Sequence, residues 1–135
     1  LINLLSYLKK KYKIQNKCIL GHSDISPFRK IDPGNKFPWN KLFSKNLSFF
    51  PKKINNKRKK KLEKYFYDQK IKSKKKQVLF MLAKIGYDTN IFKSKKNKFK
   101  NLIQCYQLHF YQRNSKGILD QKTYNKIKDH YLNLY

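Results

Sequence analysis

Residues 21–39 read GHSDISPFRKIDPGNKFPW, and neither a helical nor a strand period runs through them. Pro27, Pro33 and Pro38, together with Gly34, break regular structure between His22 and Pro38. A loop of this length is uncommon in a compact domain unless it is functional or disordered. Because His, Asp, Arg and Lys stand among rigid turn residues, the composition favours a functional loop.

Three side chains of this loop are candidates for metal chemistry: His22, Lys30 and Asp32. Zinc takes imidazole nitrogen and carboxylate oxygen at about 2.0–2.2 Å, and a catalytic zinc site keeps one position for water. Asp32 precedes Pro33-Gly34, which restricts its backbone, and Lys30 would bring a positive charge to an oxygen near the metal. The alternatives are a hydrogen-bonded structural histidine, an ordinary Asp-Pro-Gly turn and plain surface charge. The spacing alone leaves both interpretations open.

The complete string resembles the GHSDIAPxRKxDPGPxFPW signature of the zinc-dependent N-acetylmuramoyl-L-alanine amidases, the type-2 amidase family. It departs at Ser26, where the family usually has Ala, and at Asn35, where it usually has Pro; neither is a ligand position. The resemblance implies that His22 and Asp32 bind Zn²⁺ and that Lys30 is the catalytic lysine that stabilises the transition state. It also implies hydrolysis of the amide between muramic acid and L-alanine, with peptidoglycan or muropeptides as partners.

The same resemblance implies an α/β fold for residues 1–51, as the C-terminal part of an amidase catalytic domain with a mixed sheet and flanking helices. Leu47–Pro51 resembles the end of that domain. The family's other zinc histidine and its catalytic glutamate lie upstream and have no counterpart in this sequence. We therefore expect an N-terminally incomplete amidase, whose 135-residue chain binds zinc weakly and has little or no amidase activity.

The segments that flank the loop carry local patterns of their own. Apolar residues at helical spacing predict an amphipathic helix that ends near Lys13; they are Ile2, Leu5, Leu8 and Tyr12. The apolar run 18–20 predicts a buried strand that ends at Gly21, and residues 39–43 predict one or two helical turns.

Residues 77–135 predict a small all-α module of three helices. The first stops at Gly86, the second carries an apolar face from Phe99 to Phe110, and the third has Asp120 as its N-cap. Residues 82–87, 106–110 and 117–123 resemble three-helix peptidoglycan-binding domains. His109 and His130 lie on these helices, and we expect them to be surface or half-buried side chains. The lysine-rich residues 52–76 are predicted to be a linker with some helix, which separates residues 1–51 from 77–135.

The formal net charge of +27 suggests a nucleic-acid partner, but the type of basic residue argues against specific recognition. Of the 34 basic residues only Arg29, Arg58 and Arg113 are arginine, whereas base readout and phosphate clamping favour the guanidinium group. We expect a solvated lysine surface that adheres to anionic polymers in a salt-dependent way, and no specific nucleic acid. A non-catalytic cell-wall-binding remnant and a basic nucleic-acid-binding protein remain the alternatives.

Cys18 and Cys105 are isolated, without CxxC spacing, so they indicate neither a disulfide framework nor a zinc knuckle. No apolar stretch is long enough to predict a transmembrane segment. The resemblance implies a monomer in a bacterial cell envelope, in the periplasm or associated with the outer membrane, with the cytoplasm as the alternative.

Overall fold

The computed structural model describes residues 1–90 and 98–135. Seven α-helices follow one another in these residues: α1 (Ile2–Tyr12), α2 (His22–Ile25), α3 (Trp39–Ser44), α4 (Asn56–Asp68), α5 (Lys74–Ile85), α6 (Lys98–Phe110) and α7 (Gln121–Leu134). Short 3-10 turns lie at Asn16–Cys18 and Gln112–Asn114. The helices predicted from apolar spacing are confirmed as α1, α5, α6 and α7. The one or two helical turns predicted for residues 39–43 are confirmed as α3.

The predicted mixed α/β fold is wrong for the described residues, which contain no strand and no sheet. At the expected strand, the amide of Cys18 donates to the carbonyl of Gln15 (2.9 Å) and that of Ile19 to the carbonyl of Asn16 (3.2 Å), which closes a 3-10 turn. Ile19 then has extended backbone angles, φ −91° and ψ 101°. A strand also needs a second extended segment to share its backbone hydrogen bonds, and residues 1–90 and 98–135 provide none.

The main hydrophobic core lies between α4, α5, α6 and α7. Its most deeply buried members, each from one face of its helix, are Phe66, Val78, Met81, Leu82, Leu102, Ile103, Tyr106 and Ile127. Two ion pairs also join α4 to α7, one between Lys59 and Asp129 (3.0 Å) and one between Glu63 and Lys128 (2.9 Å). The lysine-rich segment 52–76 thus contains a helix that packs into this core, while the division into domains stays a prediction.

A second, smaller cluster joins the start of the chain to the end of the loop. Trp39, Leu42 and Leu47 are buried there, and Ile2 and Leu5 of α1 pack against them. Phe50 contacts both clusters, so α1 and α3 are connected through apolar contacts to the four-helix core.

The ends of α5 and α7 follow from their sequence. Gly86 ends α5 with φ +121°, a backbone conformation that favours glycine. Asp120 begins α7 as its N-cap, because its carboxylate accepts a hydrogen bond from the amide of Thr123 (2.7 Å). No helix in residues 1–90 and 98–135 is long and apolar enough to cross a membrane.

His130 is buried, contrary to the expectation of a surface or half-buried side chain. Its Nδ1 lies 3.3 Å from the hydroxyl of Tyr106, and its ring packs near Phe49 and Phe110. Burial, together with the nearby His109, lowers the pKa of His130 from 6.5 to about 3. The imidazole is therefore uncharged in the folded protein at neutral pH.

We expect the Phe66→Ala variant to lower the free energy of unfolding by about 3–5 kcal/mol, because it empties a core position in α4. The next residue, Tyr67, is 80% exposed whereas Phe66 is 1% exposed, so Tyr67→Ala is a matched control with an expected change within about 0.5 kcal/mol. Urea unfolding followed by circular dichroism measures both. Equal effects of the two substitutions would contradict the packing of α4 into the core.

We also expect acid to destabilise the protein through His130. Between pH 6.5 and about 3 the unfolded chain binds a proton at this imidazole that the folded chain does not. This contribution to the free energy of unfolding is complete above pH 6.5 and is lost as the pH falls through that window. Unfolding curves at several pH values should therefore show a shallower acid dependence for His130→Asn than for the unmodified chain; parallel profiles would argue against a neutral buried imidazole.

Candidate functional site

The loop 21–39 begins with a single helical turn, α2, where the sequence predicted irregular backbone. Gly21 is its N-cap, with φ −87° and ψ 164°. The amide of Gly21 donates to the Asp24 carboxylate (2.8 Å), and the amide of Asp24 donates back to the carbonyl of Gly21 (3.1 Å). This reciprocal pair of hydrogen bonds closes the turn that carries His22.

Three hydrogen bonds hold residue 23 against residue 32. The amide and the hydroxyl of Ser23 each donate to the carbonyl of Asp32 at 2.8 Å, and the amide of Asp32 donates to the hydroxyl of Ser23 at 3.2 Å. His22 is the residue before this contact, so the backbones that carry the two candidate ligands lie close together. The side chains of His22, Lys30 and Asp32 are all exposed.

The kinds of donor at His22 and Asp32 suit zinc, but the set is short of a complete site. A catalytic zinc site uses three protein ligands. Across residues 1–90 and 98–135, no group of three or more His, Cys, Asp and Glu side chains is placed to hold a metal ion. Two candidate ligands of suitable chemistry therefore lie on this loop, and no third candidate is placed beside them among the described residues.

Gly21 is required by the close approach of the other end of the loop. A Cβ atom at this position would lie 2.5 Å from Cδ of Pro33 and 3.3 Å from the ring of Trp39. The ring of Pro33 includes the backbone nitrogen and Cα, so it has little freedom to move away. The glycine therefore lets residue 33, next to Asp32, pack against residue 21, next to His22.

The buried carboxylate of Asp24 connects the loop to the C-terminal helices. Its Oδ1 accepts a hydrogen bond from the hydroxyl of Tyr87 at 2.6 Å, and its Oδ2 accepts one from Nδ1 of His109 at 2.7 Å. Asp24 is 6% exposed and His109 is 3% exposed, so His109 is not the surface or half-buried side chain that we expected. Burial and the charge of Asp24 raise the pKa of Tyr87 well above its usual value, which keeps the phenol a donor.

The imidazole of His109 contacts Trp39 at the end of the loop and Ser48 beyond it. It stacks on Trp39 with ring centroids 3.6 Å apart and an interplanar angle of 15°. The hydroxyl of Ser48 lies 3.4 Å from its Nε2. Contacts at both ring nitrogens and at one ring face thus hold His109 in its position.

Further hydrogen bonds attach the rest of the loop to α6 and to the turn after it. The thiol of Cys105 donates to the carbonyl of Pro27 at 3.5 Å, and burial raises its pKa to about 11. The side-chain amide nitrogen Nε2 of Gln112 donates to the carbonyls of Asn35 (3.1 Å) and Phe37 (2.8 Å). The loop is therefore held by C-terminal residues at its beginning, middle and end.

Asp24, Tyr87 and His109 form a polar cluster that was not predicted, although the sequence carries signals for two of its members. Asp24 follows Gly21 by three positions, the spacing at which an acidic residue closes the first turn of a helix. His109 follows Leu102 by seven positions and Tyr106 by three, which places it on the apolar face of α6. Tyr87 offered no such signal, because its partner lies 63 residues away in the chain.

A cavity of about 370 Å³ lies next to this cluster, between residues 16–20 and the C-terminal ends of α5, α6 and α7. Asp24, Tyr87, His109 and His130 all contribute to its lining. His22, Lys30 and Asp32 do not line it, so the cavity is separate from the candidate metal ligands.

Comparison with known proteins gives two sequence relatives, both amidases of muramoyl-peptides. The chain is 27% identical over 129 residues to the N-acetylmuramoyl-L-alanine amidase AmiD of Escherichia coli (strain K12), a match that covers 91% of this chain and 43% of AmiD. It is 50% identical over 42 residues to the 1,6-anhydro-N-acetylmuramyl-L-alanine amidase AmpD of Haemophilus influenzae, which covers 30% of this chain and 23% of AmpD. No protein-family model matches the chain.

Solved structures also resemble the structure of this chain. The complex of E. coli AmiD with the substrate anhydro-N-acetylmuramic acid-L-Ala-D-gamma-Glu-L-Lys matches with a TM-score of 0.73 and 25% identity, over 99% of this chain and 50% of that chain. AMPDH3 from Pseudomonas aeruginosa has the same fold, with a TM-score of 0.70 and 23% identity over 96% of this chain and 51% of that chain. The present chain spans about half or less of the length of these relatives, and the homology supports the amidase family.

We expect the Gly21→Ala variant to lower the free energy of unfolding by roughly 1–3 kcal/mol, because the added methyl group overlaps the ring of Pro33. Gly34→Ala is the matched control within the same loop, since no atom lies within 4 Å of a Cβ built there. Thermal unfolding of both variants measures the difference. If Gly21→Ala is as stable as Gly34→Ala, the close contact between the two ends of the loop is disproved.

Proposed function

We propose that this chain carries the zinc-binding loop of an N-acetylmuramoyl-L-alanine amidase, which hydrolyses the amide between muramic acid and L-alanine in peptidoglycan or its fragments. The homology to AmiD and AmpD supports a muramoyl-peptide amidase function. The observation that carries the proposal is the triple hydrogen bond between Ser23 and Asp32, because it brings the backbones of two candidate zinc ligands together.

In this proposal each loop residue has a defined task. His22 and Asp32 hold the zinc ion, which when bound lowers the pKa of water and polarises the scissile carbonyl. Lys30, exposed on the same loop, offsets the negative charge that develops on the carbonyl oxygen, an effect of roughly 3 kcal/mol for a group that acts like one oxyanion-hole donor. Exposure of all three side chains suits a substrate that is itself part of a large polymer.

The third zinc ligand and the general base belong, in this proposal, to the part of the relatives that the present chain does not span. AmiD is matched over 43% of its length, and the described residues here offer only two ligands on the loop. We therefore expect the 135-residue chain by itself to bind zinc weakly and to turn over little or no muramoyl-peptide.

We assign residues 77–135 to peptidoglycan binding and the whole protein to the bacterial cell envelope. AmiD and AMPDH3 have been solved with anhydromuramoyl-peptides, which makes the same class of ligand the substrate to test here. A module that stays on an insoluble polymer raises the concentration of the catalytic loop at its substrate. The lysine surface adds a salt-dependent attraction to anionic wall polymers.

We expect His22→Ala and Asp32→Ala each to weaken zinc binding at least roughly tenfold, because each removes one of two ligands on the loop. Asp68→Ala is the matched control, since Asp68 is an exposed carboxylate at the end of α4 and lies outside the loop. Titration calorimetry with Zn²⁺ compares the affinities. Zinc binding that survives both loop substitutions would refute the assignment of His22 and Asp32 as ligands. Turnover of a muramoyl-peptide by the unmodified 135-residue chain would refute the expectation that its catalytic site is incomplete.

A further inference from the structure

We infer that Tyr87 and His109 are positioning residues for the candidate metal loop and act on His22 and Asp32 through the buried carboxylate of Asp24. This inference rests on the proposed function for the identity of the metal loop. Its physical basis is the set of three hydrogen bonds to Asp24, at 2.6–2.8 Å, from three separate segments: Gly21 in the loop, Tyr87 after α5 and His109 on α6.

The first step leads from Asp24 to His22. Helix α2 has four residues, and a single helical turn does not hold its shape without outside contacts. The Asp24 carboxylate makes such contacts for α2, because it accepts hydrogen bonds from the amide of Gly21 at the start of the turn and from Tyr87 and His109 outside the loop. The direction in which His22 leaves this turn therefore depends on where Asp24 is held.

The second step leads from α2 to Asp32. Ser23 lies between His22 and Asp24, and its amide and hydroxyl together make three hydrogen bonds to the backbone of Asp32. A shift of the turn would move Ser23 and hence Asp32. The same carboxylate thus influences the position of both candidate ligands, although it is itself buried and is not one of them.

Tyr87 and His109 do not contact the loop through apolar surface alone. Both point their polar atoms at the loop, and the loop side offers a charged acceptor that loses a donor if either is removed. Tyr106 and His130 provide the contrast within the same core. They are equally buried, but the Tyr106 hydroxyl and His130 Nδ1 face each other at 3.3 Å and make no hydrogen bond to the described part of the loop.

This contrast supplies matched variants of the 135-residue chain: Tyr87→Phe against Tyr106→Phe, each of which removes one buried phenol hydroxyl. His109→Leu removes the second donor to Asp24, and His109→Asn keeps an N–H group near the position of Nδ1. Two readouts apply to each variant: the affinity for Co²⁺ alone, from the visible absorption of the bound ion, and the hydrogen-exchange rates of the Gly21, Ser23 and Asp32 amides. Circular dichroism verifies that each variant is folded.

We expect Tyr87→Phe and His109→Leu to weaken Co²⁺ binding up to roughly tenfold and to speed exchange of the three amides. His109→Asn should restore part of the loss, and Tyr106→Phe should change neither readout. Equal effects of Tyr87→Phe and Tyr106→Phe, or no effect of Tyr87→Phe, would overturn the inference. Faster exchange in Tyr87→Phe, together with no Co²⁺ binding by the unmodified chain, would support the hold of Tyr87 on the loop and refute the metal-binding proposal.

Discussion

The buried carboxylate of Asp24 is the contact on which the arrangement of the loop depends. A charged group removed from water is tolerated only when its oxygens are satisfied by donors. Here the donors come from the loop itself, from the second residue after the end of α5 and from α6. Because these segments are far apart in the chain, none of them can move away without leaving a buried charge short of a partner.

The imidazole of His109 extends this constraint from the polar cluster to the apolar ones. Its Nδ1 faces Asp24, and its ring lies flat on Trp39, the central member of the smaller hydrophobic cluster with α1. Its neighbour Phe110 belongs to the four-helix core. Thus His109 of α6 lies where loop 21–39, the cluster with α1 and the C-terminal core meet, and its contacts help to hold a loop rich in turns in one shape.

The sequence was a good guide wherever the information was local. Apolar spacing predicted α1, α5, α6 and α7 but not α4, which lies in the predicted linker. The irregular string of residues 21–39 indicated an amidase loop, which the homology to AmiD and AmpD supports. The strand at 18–20 was wrong because three apolar residues in a row do not say whether a partner strand exists. The Asp24 contacts were missed for a similar reason: Asp24 and His109 are 85 positions apart, and no local pattern joins them.

The packing of Pro33 against Gly21 makes the residue types at several loop positions depend on one another. Because the proline ring occupies the space where a side chain at position 21 would be, a larger residue there requires residue 33 to shift or to be replaced. Trp39 borders the same space, so the two ends and the middle of this stretch form one steric unit. Replacement of one member of this unit is therefore tolerated best when another member changes with it. Variation at positions 21, 33 and 39 should be correlated among related loops.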